Sequence, residues 1–177
     1  VIGAFLIPFV GRIRKPEIWP IFLISLFMGG VNFAGAFIGL TQAPAGIAGI
    51  ANQLWTPFTL MLAWPMLGEK PSARVMLGVG VALCGVAFAV VDPGLEVPLV
   101  PMLFILVSAI GLAVGNVLAK KFGPFDPVRL FAWMSFFTGF QLLGLSLIVE
   151  SDQMHAFQSA SSSEWLAFAF TVMLGGG

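Results

Sequence analysis

From Ile18 to Leu40 the sequence carries no charged side chain. The same holds from Ala45 to Met66, Val75 to Val91, Leu99 to Ala119 and Leu130 to Val149. At 1.5 Å per residue, a helix of about 17 to 23 residues crosses roughly 30 Å of hydrocarbon. A backbone in lipid has no water to bond, so it must satisfy its own N–H and C=O groups, and open spanning segments are therefore helical. A soluble domain is excluded on surface grounds. The chain is 59% hydrophobic with a mean hydropathy of +1.02, which leaves too little polar surface to cover a compact exterior. The expectation is an all-α, polytopic transmembrane helix bundle whose main partner is the lipid bilayer. Residues 1–11 and 165–177 read as partial spans flanking five complete ones, so the chain reads as a piece of a longer protein.

The charges test this map. All eight Lys and Arg residues fall in alternate turns: Arg12, Arg14 and Lys15 in the first, Lys70 and Arg74 in the third, Lys120, Lys121 and Arg129 in the fifth. The second, fourth and sixth turns hold none, and carry Asp92, Glu96, Glu150, Asp152 and Glu164 instead. Cytoplasmic loops are enriched in Lys and Arg, so the turns at 12–15, 70–74 and 120–129 are expected in the cytoplasm. One missed or false span would scramble the alternation. A net charge of zero gives no indication of a nucleic-acid partner, and the lone Cys84 excludes an intrachain disulfide. Trp19, Trp64, Trp133 and Trp165 lie near span ends, where an indole favours the headgroup zone. Trp55 lies near the centre of its span, as a ring buried between helices or as the wall of a substrate cavity.

The stretch MLAWPMLGEKPSARVMLGVG, residues 61–80, is the most charged interruption. Pro65 and Gly68 are expected to close one helix and Pro71 to set the bend before the next. Glu69 reads as a partner for backbone donors of the following helix and for a cation, with proton coupling as the alternative role.

Polar groups inside the spans are few and uncharged. Asn32, Gly35, Gly39 and Gln42 fall on one helix face, and Gly49, Asn52, Gln53, Thr56 and Thr59 or Leu60 form a second stripe. Gly111, Gly115 and Asn116, then Trp133, Phe137, Gln141 and Gly144, mark two further helices. A buried amide is costly unless paired, so these stripes are expected to face the bundle interior. Two roles compete for them. Gly-x-x-x-Gly pairs (Gly35/Gly39 and Gly111/Gly115) permit close helix approach while amides tie helices together. Alternatively, small residues leave a cavity and the amides orient a substrate. Pro57 removes a backbone donor and frees the carbonyl near Gln53, either as a plain kink or as a broken helix offering backbone groups to a ligand. On the second reading the substrate-binding residues are Asn32, Asn52, Gln53, Trp55, Thr56, Asn116 and Gln141. No cofactor, metal site or catalytic residue is indicated. The single His155 lies in the polar loop without a partner constellation, which argues against an enzyme. A structural or signalling membrane protein would normally bring a soluble domain, and the longest loop is too short for one.

The stretch APAGIAGIANQLWTPFTLMLAWPMLGEKPSARVMLGVGVALCGVAFAV resembles the EamA-type drug/metabolite transporters. It shares a small-residue helix with a central Pro (Pro57), a Gly-Glu turn (Gly68, Glu69) and a following Gly-rich helix (Gly78, Gly80, Gly85). GNVLAKKFGPFDPVRLFAWMSFFTGF looks like the start of the family's repeat, with Gly115-Asn116 leading into a basic turn. The wording is similar to the branch that exports O-acetylserine and cysteine. The resemblance implies a fragment of a ten-helix transporter built from two five-helix repeats. Residues 1–91 would close the first repeat and 99–177 open the second, which returns inverted because the helix number is odd. It also implies a bacterial inner-membrane protein that exports small polar metabolites, such as amino acids and derivatives, by alternating access around a midplane site. A homodimer is left open. Drugs and nucleotide-type metabolites are the alternative substrates.

Overall fold

The computed structural model describes residues 7, 11, 13–90, 99–149 and 159–174, and they form an all-helical bundle. The acidic turns at Asp92 and Glu96 and at Glu150 and Asp152 lie outside the described residues, as do Arg12 and His155. The elements are α1 (Lys15–Leu40), α2 (Ala45–Asn52), α3 (Trp55–Leu67), α4 (Ala73–Val90), α5 (Leu99–Phe122), α6 (Pro127–Val149) and α7 (Ser162–Leu174). α1, α5 and α6 are each long and apolar enough to cross a membrane. α4 is a shorter apolar helix.

Two features depart from regular helix. Within α1, residues Ser25–Val31 are wound as a π-helix. The adjacent Gly29 and Gly30 weaken the α ladder there. The Asn32 N–H then reaches the carbonyls of Gly29 and Phe27. The second departure is the break between α2 and α3. Pro57 cannot donate to the Gln53 carbonyl, which instead accepts from the Thr56 N–H at 3.2 Å. The preceding amides of Gln53 and Leu54 bond three residues back, to Ile50 and Ala51. The span expected over 45–66 is therefore two half-helices, broken one turn before the proline. Pro65, expected to end this span, lies inside α3. The helix closes instead on Gly68, whose φ of 74° is a left-handed cap and whose N–H bonds Trp64 O at 2.9 Å.

α5 is the central element, packed against α1, α2 and α3. α1 and α5 run antiparallel with their small residues interlocked. A Cβ on Gly35 would meet the Phe104 carbonyl at 2.7 Å, and one on Gly39 would meet the Pro101 carbonyl at 2.9 Å. On the other helix, Gly111 faces the Phe27 carbonyl at 2.9 Å and Gly115 the Met28 backbone. Both Gly-x-x-x-Gly pairs thus do the packing work they permit, each against backbone of the opposite helix. Around them the most buried side chains are Ile21, Ile24, Ile105, Ala109, Ala113 and Val117. A second cluster joins α2 to α5 through Ala43, Ile47, Ala48, Ala51, Met102 and Ile105. Gly78, Gly80 and Gly85 of α4 have open space where a Cβ would stand, so that helix's glycines do not serve close packing among the described residues.

Ion pairs gather the three basic turns at one end. Lys120 Nζ bonds Glu69 Oε2 at 2.6 Å, joining the fifth turn to the third, and Arg129 Nη2 bonds Glu17 Oε1 at 3.2 Å, joining the fifth to the start of α1. Glu69 therefore pairs across the bundle, not with the adjacent Lys70, and the hydroxyl of Ser72 caps α4 by accepting from Val75 N–H at 3.4 Å. The two pairs differ in worth. The Lys120–Glu69 side chains are more than half exposed, and such pairs contribute about 0–1 kcal/mol. The Arg129–Glu17 side chains are only 20% and 16% exposed. Glu17→Gln strands a largely buried guanidinium and is expected to cost about 1–3 kcal/mol. Glu69→Gln is expected to cost less than about 1 kcal/mol. Thermal unfolding of both variants in detergent checks this. Equal losses would show that burial does not set the difference.

Candidate functional site

The interior amides sort into two clusters on opposite sides of the π segment. The first lies past its end. Asn32, on the first α-helical turn after Val31, is 8% exposed, and its Nδ2 donates to Ser108 O at 3.0 Å and to Ser108 Oγ at 2.9 Å. The Ser108 hydroxyl then donates to Asn52 Oδ1 at 3.4 Å. Three helices meet there: α1 through Asn32, α5 through Ser108, and the end of α2 through Asn52, just before the break. Gly35, one turn beyond Asn32, lets the backbones approach closely enough for the short Ser108 side chain to join the two amides. The hydrogen-bond chain runs Asn32 amide to Ser108 hydroxyl to Asn52 carbonyl. It leaves Asn32 Oδ1, an acceptor, at one end and Asn52 Nδ2, a donor, at the other.

The second cluster lies at the start of the π segment and faces α6. Gln141 Nε2 donates to Ser25 Oγ at 3.0 Å, and the Ser25 hydroxyl donates to Phe22 O at 2.7 Å. Thr138 Oγ1 donates to Ser25 O at 3.4 Å. Gln141 Oε1 and the indole N–H of Trp133 are both sealed from solvent without a partner among the described residues. Trp133 is half-buried and packs on Phe136 and Phe137 of its own helix, with ring centroids 5.8 and 6.1 Å away. Trp19, Trp64 and Trp165 are exposed.

The predicted site residues are only partly brought together. Asn32 and Asn52 share one cluster, and Gln141 belongs to the other. Asn116 is half-buried on α5, about 12 Å along the axis from Ser108. Trp55 is half-buried at the start of α3, its carbonyl accepting from Thr59 Oγ1 at 2.7 Å. Gln53 and Thr56 are exposed, as are Gly49 and Leu60, and this corrects the expectation that the whole second stripe faces inward. The reason is the packing of α5 on the adjacent face, where Ala48, Ala51, Leu54 and Pro57 are buried. Gln42 is also exposed, because α1 ends at Leu40 and the residue falls in the turn.

Ser25, Ser108 and Thr138 went unread in the sequence. A serine or threonine in an apolar helix commonly bonds a carbonyl of its own preceding turn, so its presence alone signals little. The usable signal for Ser108 was its spacing: it stands on the same helix face as Gly111 and Gly115.

Long apolar helices locked by glycines, with basic turns gathered at one end, define an integral, multi-pass membrane protein. Comparison with known proteins makes this specific. Residues 1–91 match the EamA-like transporter family. An uncharacterized transporter of Bacillus subtilis (strain 168), YvbV, is 31% identical over 120 residues, an overlap that covers 66% of this chain and 39% of that protein. The chain therefore spans 39% of the length of the curated relative it matches. No solved structure matches it. The chain belongs to the EamA-like transporter family.

Proposed function

We propose that the protein is a membrane transporter that exports small zwitterionic or neutral polar metabolites, of the amino-acid class, with Asn32, Ser108 and Asn52 at its substrate site. The observation that carries this reading is the open-ended hydrogen-bond chain. An acceptor (Asn32 Oδ1) and a donor (Asn52 Nδ2) remain at its two ends, with no charged side chain in the described spans at that depth. An ammonium suits the acceptor and a carboxylate suits the donor. A strong anion or cation would find no counter-charge, and intramembrane charge is expensive without one. Asn116 and Trp55 line the approach, and the carbonyls at the α2–α3 break supply further acceptors beside Gln53 and Thr56. Residues 99–177 open a second, inverted repeat, and alternating access arises from rocking of the two repeats about this midplane site. The basic turns lie in the cytoplasm, the membrane is the bacterial inner membrane, and O-acetylserine- and cysteine-like metabolites are the first substrates to screen.

The test is counterflow into proteoliposomes by the full-length protein. Uptake of a labelled neutral amino acid is expected to be saturable, and to be inhibited by other neutral amino acids but not by a dicarboxylate. A dianion that outcompetes neutral amino acids would sink the reading.

A further inference from the structure

We propose that the basic end of the bundle is a binding surface for anionic phospholipid headgroups. The seven described Lys and Arg residues all stand at this end, against three carboxylates, Glu17, Glu69 and Asp126. Glu17 is taken by Arg129 and Glu69 by Lys120. Asp126 Oδ1 accepts from the Arg129 backbone N–H at 2.8 Å, in the first turn of α6. That leaves Arg14, Lys15, Lys70, Arg74 and Lys121. Each of them is exposed, and none is in an ion pair among the described residues. The two ion pairs also order the elements around this end. Arg129–Glu17 sets the start of α6 beside the start of α1, and Lys120–Glu69 sets the end of α5 beside the end of α3. The uncompensated cations therefore form an arc, with Arg14 and Lys15 on one flank, Lys121 in the middle, and Lys70 and Arg74 on the other flank.

What lies inward of the arc selects lipid over a soluble anion. Trp19 follows Lys15 by one turn of α1, about 6 Å deeper, and its ring is open to the exterior. Trp64 stands inward of Lys70 in the last turn of α3 and is exposed too. Indoles favour the headgroup zone, so cations just outside them fall at the level of the phosphates. Ile18, Phe122 and Val128 add exposed apolar side chains beside the cations. A cleft of about 510 Å³ lies at the centre of the arc, between the end of α5 and the start of α6. Lys120 is its one charged lining residue, and Ala119, Pro124, Phe125 and Leu130 make the rest apolar. A cation over an apolar floor suits a phosphate with the first methylenes of its acyl chains beneath it. The bond to Glu69 occupies one N–H of the Lys120 ammonium and leaves two for a phosphate. Basic pockets between membrane helices are where anionic headgroups bind.

The surface requires only that the bundle crosses a bilayer, so it stands apart from the transport reading. Its test is the relative affinity of the full-length protein for phosphatidylglycerol over phosphatidylcholine of the same acyl chains. Quenching of tryptophan fluorescence by brominated forms of each lipid in vesicles reads that ratio, with the exposed Trp19 and Trp64 as reporters. One cation near the membrane surface is worth about five-fold, so the wild-type ratio is expected to be at least about five. It should fall towards one in about 1 M NaCl, where the screening length is about 3 Å. The ratio should also fall to about one when Arg14, Lys15, Lys70, Arg74 and Lys121 are all changed to Gln. Exchanging Lys70→Arg together with Arg74→Lys keeps the charge and is expected to keep the ratio. Should the five-site variant fail to fold, Arg14→Gln/Lys15→Gln and Lys70→Gln/Arg74→Gln are each expected to lower the ratio, and the wild-type salt titration stands by itself. A wild-type ratio near one at low salt would leave the cations to water or to a soluble anionic partner and overturn the lipid surface. A preference that survives loss of the five cations would overturn it as well.

Discussion

Gly35→Ala is expected to destabilise the protein by about 1–3 kcal/mol, and Gly35→Leu to prevent the native bundle from forming. The added Cβ at position 35 meets the Phe104 carbonyl at 2.7 Å, Ser108 N at 3.0 Å and Ser108 Cβ at 3.1 Å. Two of these are backbone atoms of α5 and cannot swing aside as a side-chain tip would. The helices must separate instead, and separation stretches the bonds from Asn32 to Ser108 as well. The same substitution has the opposite sign at Gly139, which is exposed in the interior of α6 with nothing near the missing Cβ. There the gain in helix propensity, up to about 1 kcal/mol, is expected to dominate. Thermal unfolding of the two variants in one detergent compares them directly. A Gly35→Ala protein as stable as Gly139→Ala would show that α1 and α5 are not held at this distance.

Asn32→Leu is expected to reduce flux at least ten-fold while costing at most about 2 kcal/mol in stability. The substitution removes two hydrogen bonds and leaves the Ser108 carbonyl and hydroxyl without their donor. In water-soluble interiors a stranded polar group costs about 1–3 kcal/mol. In membrane bundles the measured interhelical bonds average about 0.6 kcal/mol, because the unfolded helices find partners too. Leucine also restores apolar volume at a site only 8% exposed. Stability and flux therefore separate. A structural amide would lower both together, whereas a substrate-orienting amide loses flux first. A variant that unfolds but transports normally whenever it is folded would assign Asn32 to packing alone.

Much of this architecture was written in the sequence, for identifiable reasons. Charge-free runs marked the spans because lipid tolerates little else, and the alternating Lys and Arg residues matched an arrangement in which Glu17–Arg129 and Glu69–Lys120 tie the three basic turns together at one end. The Gly-x-x-x-Gly pairs were legible because close approach demands small residues at helical spacing. Pro57 announced the break at Gln53, since a missing donor frees a predictable carbonyl. The π segment was not legible, and it redirected the polar side chains on either side of it. In an unbroken α-helix Ser25 and Asn32, seven apart, would share a face. Wound through a π segment, Ser25 turns to Gln141 of α6 while Asn32 turns to Ser108 of α5. Helical periodicity assigns faces only while the winding stays regular. The exposed face of Gln53 and Thr56 failed for a different reason. Their stripe is as polar as that of Asn32, but which of two adjacent faces α5 covers depends on tertiary packing that periodicity does not encode.

The central claim is that Asn52, joined through Ser108 to Asn32, helps hold the substrate. The most direct measurement is counterflow of a labelled zwitterionic amino acid by the full-length protein in proteoliposomes, wild type against Asn52→Leu. Asn52 is half-buried and held by one long bond of 3.4 Å, so the variant is expected to insert and to melt within a few degrees of wild type. Its flux is predicted to fall at least ten-fold. Wild-type flux in a correctly inserted Asn52→Leu protein would contradict the account, because the polar line would then be a tie between helices and the substrate path would run elsewhere.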